Sequence, residues 1–218
     1  DRLAAESISC RNAVSGCPVC SPYRGTLMTG QYPHRHGVFV NDVPLNNGAT
    51  SFAQALNAAG YATGYIGKWH IDGHGRSTYI PRERRQGFDY WRVLECTHDY
   101  NNSFYYGDSD TKLKWDGYDA IAQTRDAERY IRERDKEKPF ALFLSWGPPH
   151  DPYETAPPEY RAMYDAAKLS LRPNVPRDFE ATTRRIGAGY YAHCSVLDTC
   201  VGDLLKTIDD CGIADDTI

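Results

Sequence analysis

A helix followed directly by a strand is encoded in residues 51–70, SFAQALNAAGYATGYIGKWH. Ser51 to Ala59 has amphipathic spacing, its first residue is a preferred N-cap, and Gly60 is a typical stop signal. Tyr61 to Ile66 is strand-like and runs into Gly67-Lys68-Trp69-His70. A strand that ends in Gly-Lys-x-His directs a cation and a titratable base into one pocket.

The alternation of strand and helix continues downstream. Apolar residues recur at helical spacing from Gly117 to about Glu133, and Phe140 to Trp146 is an apolar run of buried-strand length. A long apolar stripe predicts a helix from about Phe179 to Asp210. Strands that alternate with helices of this length predict one α/β domain. The polar connections over residues 69–115 and 151–178 are predicted to be functional loops.

Composition excludes several classes of protein. The chain has 218 residues, of which 41% are hydrophobic and 25% are charged, as is typical of a globular domain or of most of a larger one. The net charge is −4 and the Lys and Arg residues are scattered, so no nucleic-acid partner is expected. No apolar run approaches the roughly 20 residues of a membrane span, so no membrane partner is expected either, and residues 1–4 lack the layout of a signal peptide. The 7 cysteines leave at least one unpaired and do not identify the redox compartment.

The densest cluster of reactive residues is CPVCSPYRGTLMTG, residues 17–30. Pro22 stands where a first helical turn would start and Gly30 where the helix would end, so Cys20 is predicted to lie at a helix N-terminus. The helix dipole and the free N–H groups at that end favour negative charge. Arg24 follows one turn later and is close enough to assist the same anionic site. This is a suitable position for a nucleophile that acts on an oxyanion.

Several other interpretations of this cluster stay open on the residues alone. Cys17 and Cys20 have the spacing of a redox pair, although no thioredoxin-like βαβ pattern surrounds them. With His34 and His36 they suggest a zinc site, but these histidines are closer in sequence than a zinc finger requires. Tyrosine-phosphatase chemistry needs a wider loop between Cys20 and Arg24. A buried core thiol, the commonest fate of a single cysteine, is the remaining alternative.

Three segments together resemble the signatures of the formylglycine-dependent (type I) sulfatases of the alkaline phosphatase superfamily. CSPYR at residues 20–24, followed by LMTG at 27–30, is similar to the first signature, in which the cysteine is oxidised to formylglycine. Tyr23 departs from it, because the family usually has Ser, Thr or Ala there. GYATGYIGKWH at 60–70 is similar to the second signature at every defined position, and WGPPHDPY at 146–153 is similar to the family's strand-end Pro-His-x-Pro. The resemblance covers essentially the whole chain and is incomplete at both ends.

The resemblance implies a sulfuric ester hydrolase with an alkaline-phosphatase-like fold, in which helices flank a mostly parallel central sheet. A formylglycine-generating enzyme would convert Cys20, and the hydrated aldehyde would attack the sulfur of a sulfate monoester. Arg24 and Lys68 would offset charge on the sulfate oxygens, and His150 would protonate the leaving oxygen. His70 would take a proton from the second hydroxyl and so release the sulfate.

The remaining histidines are assigned by the same resemblance. CTHDY at residues 96–100 is similar to a stretch that lines the sulfatase pocket, so His98 is either a substrate contact or a structural residue. We expect surface or structural roles for His34, His36, His74 and His193.

The resemblance also implies a divalent cation, Ca²⁺ or Mg²⁺, with the formylglycine at Cys20 as one ligand. The family's acidic pair would precede Asp1, and its later Asp and Asn or His would follow Ile218. Residues 1–218 are therefore interpreted as a partial sulfatase catalytic domain that is inactive alone. The expected substrate is a sulfated small molecule or carbohydrate, and a periplasmic or secreted location is typical of the family. The alternatives are a formylglycine-dependent phosphodiesterase or phosphonate monoester hydrolase, and an unmodified, non-catalytic homologue.

Overall fold

Five strands form one sheet in the computed structural model, which describes residues 2–45 and 48–218. The strands are β1 (Ala62–Lys68), β2 (Tyr90–Leu94), β3 (Phe104–Tyr106), β4 (Lys112–Lys114) and β5 (Phe140–Ser145). Their order is β4-β3-β2-β1-β5, in which β1 runs parallel to β2 and β5, whereas β3 and β4 add antiparallel pairs. The predicted α/β fold with a central sheet is confirmed, and its parallel part consists of β2, β1 and β5.

The described residues also form α-helices. They are α1 (Arg2–Ala5), α2 (Cys20–Thr29), α3 (Pro33–His36), α4 (Phe52–Ala58), α5 (Asp119–Glu133), α6 (Pro158–Arg161) and α7 (Glu180–Asp210). Helix α4 contacts β1, α5 contacts both β1 and β5, and α7 packs on α5. Over the described residues, no helix combines the length and the apolar character that crossing a membrane requires.

Local signals account for helix α4 and the strand after it. Ser51 accepts the N–H of Gln54, and the Gln54 side chain accepts the N–H of Ser51, which completes a capping box. Gly60 has a φ of 87°, a left-handed conformation that glycine adopts without a steric penalty. Strand β1 begins at Ala62 and continues to Lys68, beyond the predicted end at Ile66.

Strand β1 is buried on both faces, since its successive side chains point to opposite sides of the sheet. On one face the Tyr65 ring lies 4.9 Å from Trp69, 5.1 Å from Phe88 and 5.7 Å from Trp91, measured between ring centroids. On the other face Ile66 belongs to a buried cluster with residues of α5. Each such large side chain contributes about 1.5–3 kcal/mol through burial. The well-packed centre of the sheet therefore fixes the positions of the residues at the ends of its strands.

The predicted irregular connection over residues 69–115 is wrong in part, because it contains β2, β3 and β4. Strands β3 and β4 have 3 residues each, which is too short for a periodic pattern to show. Over residues 151–178, by contrast, the regular structure is limited to α6 and short 3₁₀ turns. That segment agrees with the prediction of a long irregular loop.

Candidate active site

The parallel strands bring three segments together at one edge of the sheet. The end of β1 leads into Lys68 and His70, the end of β2 leads towards His98, and the end of β5 leads into the turn that carries His150. Ligands of open α/β sheets commonly bind at the carboxyl ends of the strands. The sequence-predicted residues on these three segments therefore share one edge of the fold.

Cys20 is the first residue of α2, as predicted. The residue before it, Val19, is extended and provides no side-chain cap, while the N–H of Ser21 donates to Asn41 Oδ1 at 3.0 Å. The half-buried Cys20 Sγ lies 3.8 Å from Lys68 Nζ. A group at this position therefore meets both the positive end of a helix and an ammonium ion.

Arg24 attaches α2 to the ends of β1 and β5. Its Nη1 lies 2.6 Å from the Lys68 carbonyl oxygen, 2.8 Å from Ser145 Oγ and 3.1 Å from the Tyr65 hydroxyl oxygen. The Nε and Nη2 atoms have no hydrogen-bond partner within the described part of the chain, so their N–H groups stay open to an anion. Arg24 is thus held in place through Nη1, while Nε and Nη2 remain available to bind an anion.

His70 is buried in a left-handed backbone conformation with a φ of 59°. Burial, followed by the charge of Lys68, lowers the pKa of His70 to about 4, so the imidazole is neutral at neutral pH. Its Nε2 lies 3.0 Å from Asp42 Oδ1. The Arg76 guanidinium lowers the pKa of Asp42 to about 2, and the ionised carboxylate can only accept, so His70 Nε2 carries the proton.

The other ring nitrogen of His70, Nδ1, therefore has a free lone pair. It is buried and has no hydrogen-bond partner among the described residues. A buried acceptor without a donor is costly, and a hydroxyl group placed against Nδ1 would satisfy it. The hydrated formylglycine that the resemblance implies would carry such hydroxyl groups.

His98 and His150 lie face to face. Their ring centroids are 4.4 Å apart and their planes differ by 12°. His150 is exposed and its Nδ1 lies 2.7 Å from Asp151 Oδ1. Its Nε2 has no hydrogen-bond partner among the described residues. Partial burial, together with the charge of His150, lowers the pKa of His98. The structure places His98 in the site, whereas its role as a substrate contact stays a prediction.

The turn that carries His150 is held by hydrogen bonds from two buried side chains, Tyr100 and His193. The Tyr100 hydroxyl donates to the Asp151 carbonyl oxygen at 2.9 Å, and His193 Nε2 lies 3.2 Å from the Pro152 carbonyl oxygen. A Cβ atom at Gly147 would lie 2.7 Å from the Tyr100 ring, so only glycine allows this close approach. The position of His150 therefore depends on residues that sequence reasoning did not select.

None of the four histidines expected outside the site belongs to the three strand-end segments described above. They are His34, His36, His74 and His193. His36 and His193 are fully buried, His34 is exposed, and His74 pairs with Asp72 at 3.2 Å.

Sequence reasoning also missed Asp42 and Arg76. Asp42 Oδ1 accepts from both His70 Nε2 and Arg76 Nε, the latter at 2.9 Å, and Arg76 Nη2 lies 2.8 Å from Oδ2. The only sequence signal was the position of Asp42 in a polar Asn-Asp turn, and Asp42 does have a positive φ of 65°.

The described residues do not form a complete metal site. Residues 2–45 and 48–218 contain no group of three or more His, Cys, Asp or Glu side chains that could hold an ion. The divalent cation that the resemblance implies, and its remaining ligands, stay a prediction.

A helix N-terminus, two cations and three imidazoles therefore lie at the strand ends, an arrangement suited to binding an oxyanion. The sulfatase family model matches residues 1–218, and the chain belongs to this family. It is 46% identical to an ulvan-active sulfatase of Formosa agariphila over 220 residues, covering 100% of this chain and 43% of that protein. The chain thus spans less than half the length of this relative.

Two solved structures extend the comparison. The candidate sulfatase yidJ of Bacteroides fragilis superposes with a TM-score of 0.86 at 30% identity, covering 98% of this chain and 53% of that one. A phosphonate monoester hydrolase of Agrobacterium radiobacter has a TM-score of 0.70 at 19% identity, covering 93% and 52%. At that identity the second likeness shows the fold alone.

Proposed function

We propose that the intact protein hydrolyses sulfate monoesters, with a formylglycine derived from Cys20 as the nucleophile. The observation that carries the proposal is the placement of Cys20 at the start of α2, with Lys68 Nζ at 3.8 Å from its sulfur. Membership of the sulfatase family and the 46% identity to an ulvan-active sulfatase support it. A formylglycine-generating enzyme would act on Cys20 during maturation.

The formylglycine hydrate would supply a hydroxyl nucleophile. Lys68 and the open nitrogens of Arg24 would bind the sulfate oxygens and offset their charge, because both cations lie on the side of the helix N-terminus. Since Nη1 of Arg24 is already bonded to the strand ends, the guanidinium is held in place before substrate binds.

His150 and His70 would transfer protons at different steps of the reaction. His150 is exposed at the strand-end turn, so its Nε2 can reach the leaving oxygen and donate a proton. His70 is neutral, with its Nδ1 lone pair unused, so it can take a proton from a hydroxyl next to Cys20. The Asp42 carboxylate would hold His70 in the tautomer that this step requires.

The substrate class is proposed to be a sulfated carbohydrate, following the relative named for activity on ulvan. Family resemblance favours an exported protein and a Ca²⁺ or Mg²⁺ ion in the complete site. A phosphodiester or phosphonate substrate is less favoured, because the phosphonate monoester hydrolase likeness is one of fold only.

Peptide mass spectrometry of the intact protein tests the nucleophile. The peptide that contains Cys20 should be lighter than its cysteine form, whereas an unmodified mass would indicate a non-catalytic homologue. Cys20→Ala should abolish turnover of an aryl sulfate, while Cys17→Ala is the control, because Cys17 precedes α2 and lies outside the proposed machinery. Faster hydrolysis of phosphate diesters than of aryl sulfates would replace the proposed reaction.

A further inference from the structure

Arg76 carries a guanidinium group that none of the three sequence motifs includes. It forms a two-bond pair with Asp42, through Nε to Oδ1 at 2.9 Å and through Nη2 to Oδ2 at 2.8 Å. Both side chains are about half exposed, at 50% and 48%. An exposed pair of this kind contributes only about 0–1 kcal/mol to folding, so stability does not explain its geometry.

The location of Arg76 connects it to the proposed site. Asp42 Oδ1, which accepts from Arg76 Nε, also accepts from His70 Nε2, at 3.0 Å. The Arg76 carbonyl oxygen accepts the N–H of Cys96 at 3.1 Å, which attaches this segment to the end of β2. Arg76 therefore stands at the rim of the site, between the β1 and β2 ends.

The unused donors of Arg76 point to a ligand. Asp42 occupies the Nε–Nη2 side of the guanidinium, and Nη1 has no hydrogen-bond partner among the residues described. Arg85 is a contrast within the same chain: it is fully buried, and its Nε, Nη1 and Nη2 all donate to protein oxygens. An exposed, oriented guanidinium with free N–H groups is suited to bind a carboxylate or sulfate.

We propose that Arg76 binds a second oxyanion group of the substrate, a carboxylate or a second sulfate, close to the sulfate ester that is cleaved. This inference rests on the proposed function, and it makes Arg76 a specificity residue for multiply charged carbohydrates. Asp42 then contributes in two ways: it orients the guanidinium of Arg76, and it fixes the tautomer of His70.

The test compares Arg76→Gln with the parent in the intact protein, on three substrates. These are a simple aryl sulfate, an oligosaccharide that bears two sulfates and a carboxylate, and the same oligosaccharide with the carboxylate reduced to an alcohol. We expect KM for the carboxylate-bearing oligosaccharide to rise about 10- to 100-fold, while its kcat changes by less than about threefold. Both KM and kcat for the aryl sulfate should also change by less than about threefold. If the reduced oligosaccharide is equally sensitive to the substitution, a second sulfate is the group bound; if it is insensitive, the carboxylate is.

Arg82→Gln is the matched control, because Arg82 also forms an exposed pair with an aspartate, Asp89, outside the site. It should leave all three substrates unchanged. Equal losses on every substrate would overturn the inference and show that Arg76 acts through His70; no loss on any would also overturn it. If Arg76→Gln lowers the melting temperature more than Arg82→Gln, Arg76→Lys is tested, with the same KM rise expected on the oligosaccharide. Absence of turnover of every sulfate ester by the parent would instead refute the proposed function.

Discussion

Replacing Tyr100 with phenylalanine removes one hydrogen bond from beneath the turn that carries His150. The Tyr100 hydroxyl donates to the Asp151 carbonyl oxygen at 2.9 Å, and the ring is fully buried against Gly147. Phenylalanine keeps the ring, so the lost hydrogen bond alone should lower the free energy of unfolding by about 1 kcal/mol. For a chain of this size the melting temperature should fall by about 2–4 °C.

The larger effect of Tyr100→Phe is expected on the reaction. Without the hydrogen bond, His150 is held less closely, and a displacement of about 1 Å can cost about 100-fold in rate. A general acid matters for leaving groups that need a proton and matters little for activated ones. We expect kcat to fall about 10- to 100-fold for carbohydrate or alkyl sulfates, but less than about threefold for activated aryl sulfates.

Tyr106→Phe is the control for this experiment. The Tyr106 hydroxyl also donates to a backbone carbonyl, that of Ser77, at 2.9 Å, and its ring is also buried. This variant should lose a similar amount of stability and keep the ratio of the two rates. Equal losses by Tyr100→Phe on both substrate classes, or no loss on either, would refute the argument that Tyr100 positions the acid.

Four further substitutions have separate expected outcomes. His150→Ala should slow carbohydrate sulfates by about 100-fold and activated aryl sulfates far less, and equal losses in steady-state kinetics would make His150 a binding residue only. Burial raises the pKa of Glu95 to about 7, so the folded state loses stability as pH rises from the ordinary carboxyl pKa to that value. Glu95→Gln should therefore raise the free energy of denaturant unfolding by up to about 3 kcal/mol at pH 8 and leave it unchanged at pH 4, and an equal effect at both pH values would contradict this. Gly67→Ala should destabilise by about 3 kcal/mol or more in thermal unfolding, because its φ is 106° and a Cβ would collide with the Ser145 carbonyl. Gly202 lies within α7, and a Cβ there would meet no atom within 4 Å. Gly202→Ala should therefore raise the free energy of unfolding by up to about 1 kcal/mol.

The elements predicted from sequence are those with a long repeating signal. Helices α5 and α7 and strand β5 follow their apolar patterns to within about two residues, and α4 begins directly after its serine cap. The short strands β3 and β4 were missed because they are defined by pairing with distant partners, which no local pattern records.

The same distinction applies to the candidate site. The contact between Cys20 and Lys68 follows from two local features, a helix N-terminus and a strand end, and the structure brings them together at 3.8 Å. The pair of Asp42 and Arg76 joins residues 34 positions apart in the sequence, through two surface loops. Surface charges are common, so neither residue could be selected before the fold placed Asp42 against His70.

The two histidines proposed to move protons differ in environment, and this difference assigns their roles. His70 is buried, its Nε2 donates to Asp42, and its depressed pKa keeps the ring neutral, so the remaining nitrogen, Nδ1, can only accept a proton. His150 is exposed on a turn, with Asp151 at 2.7 Å from Nδ1, so Nε2 is the nitrogen left to meet the leaving oxygen in the proposed reaction. An acid must reach a departing group, and a base must act on the enzyme's own nucleophile. The roles could not be exchanged, because the free nitrogen of His70 is buried away from solvent.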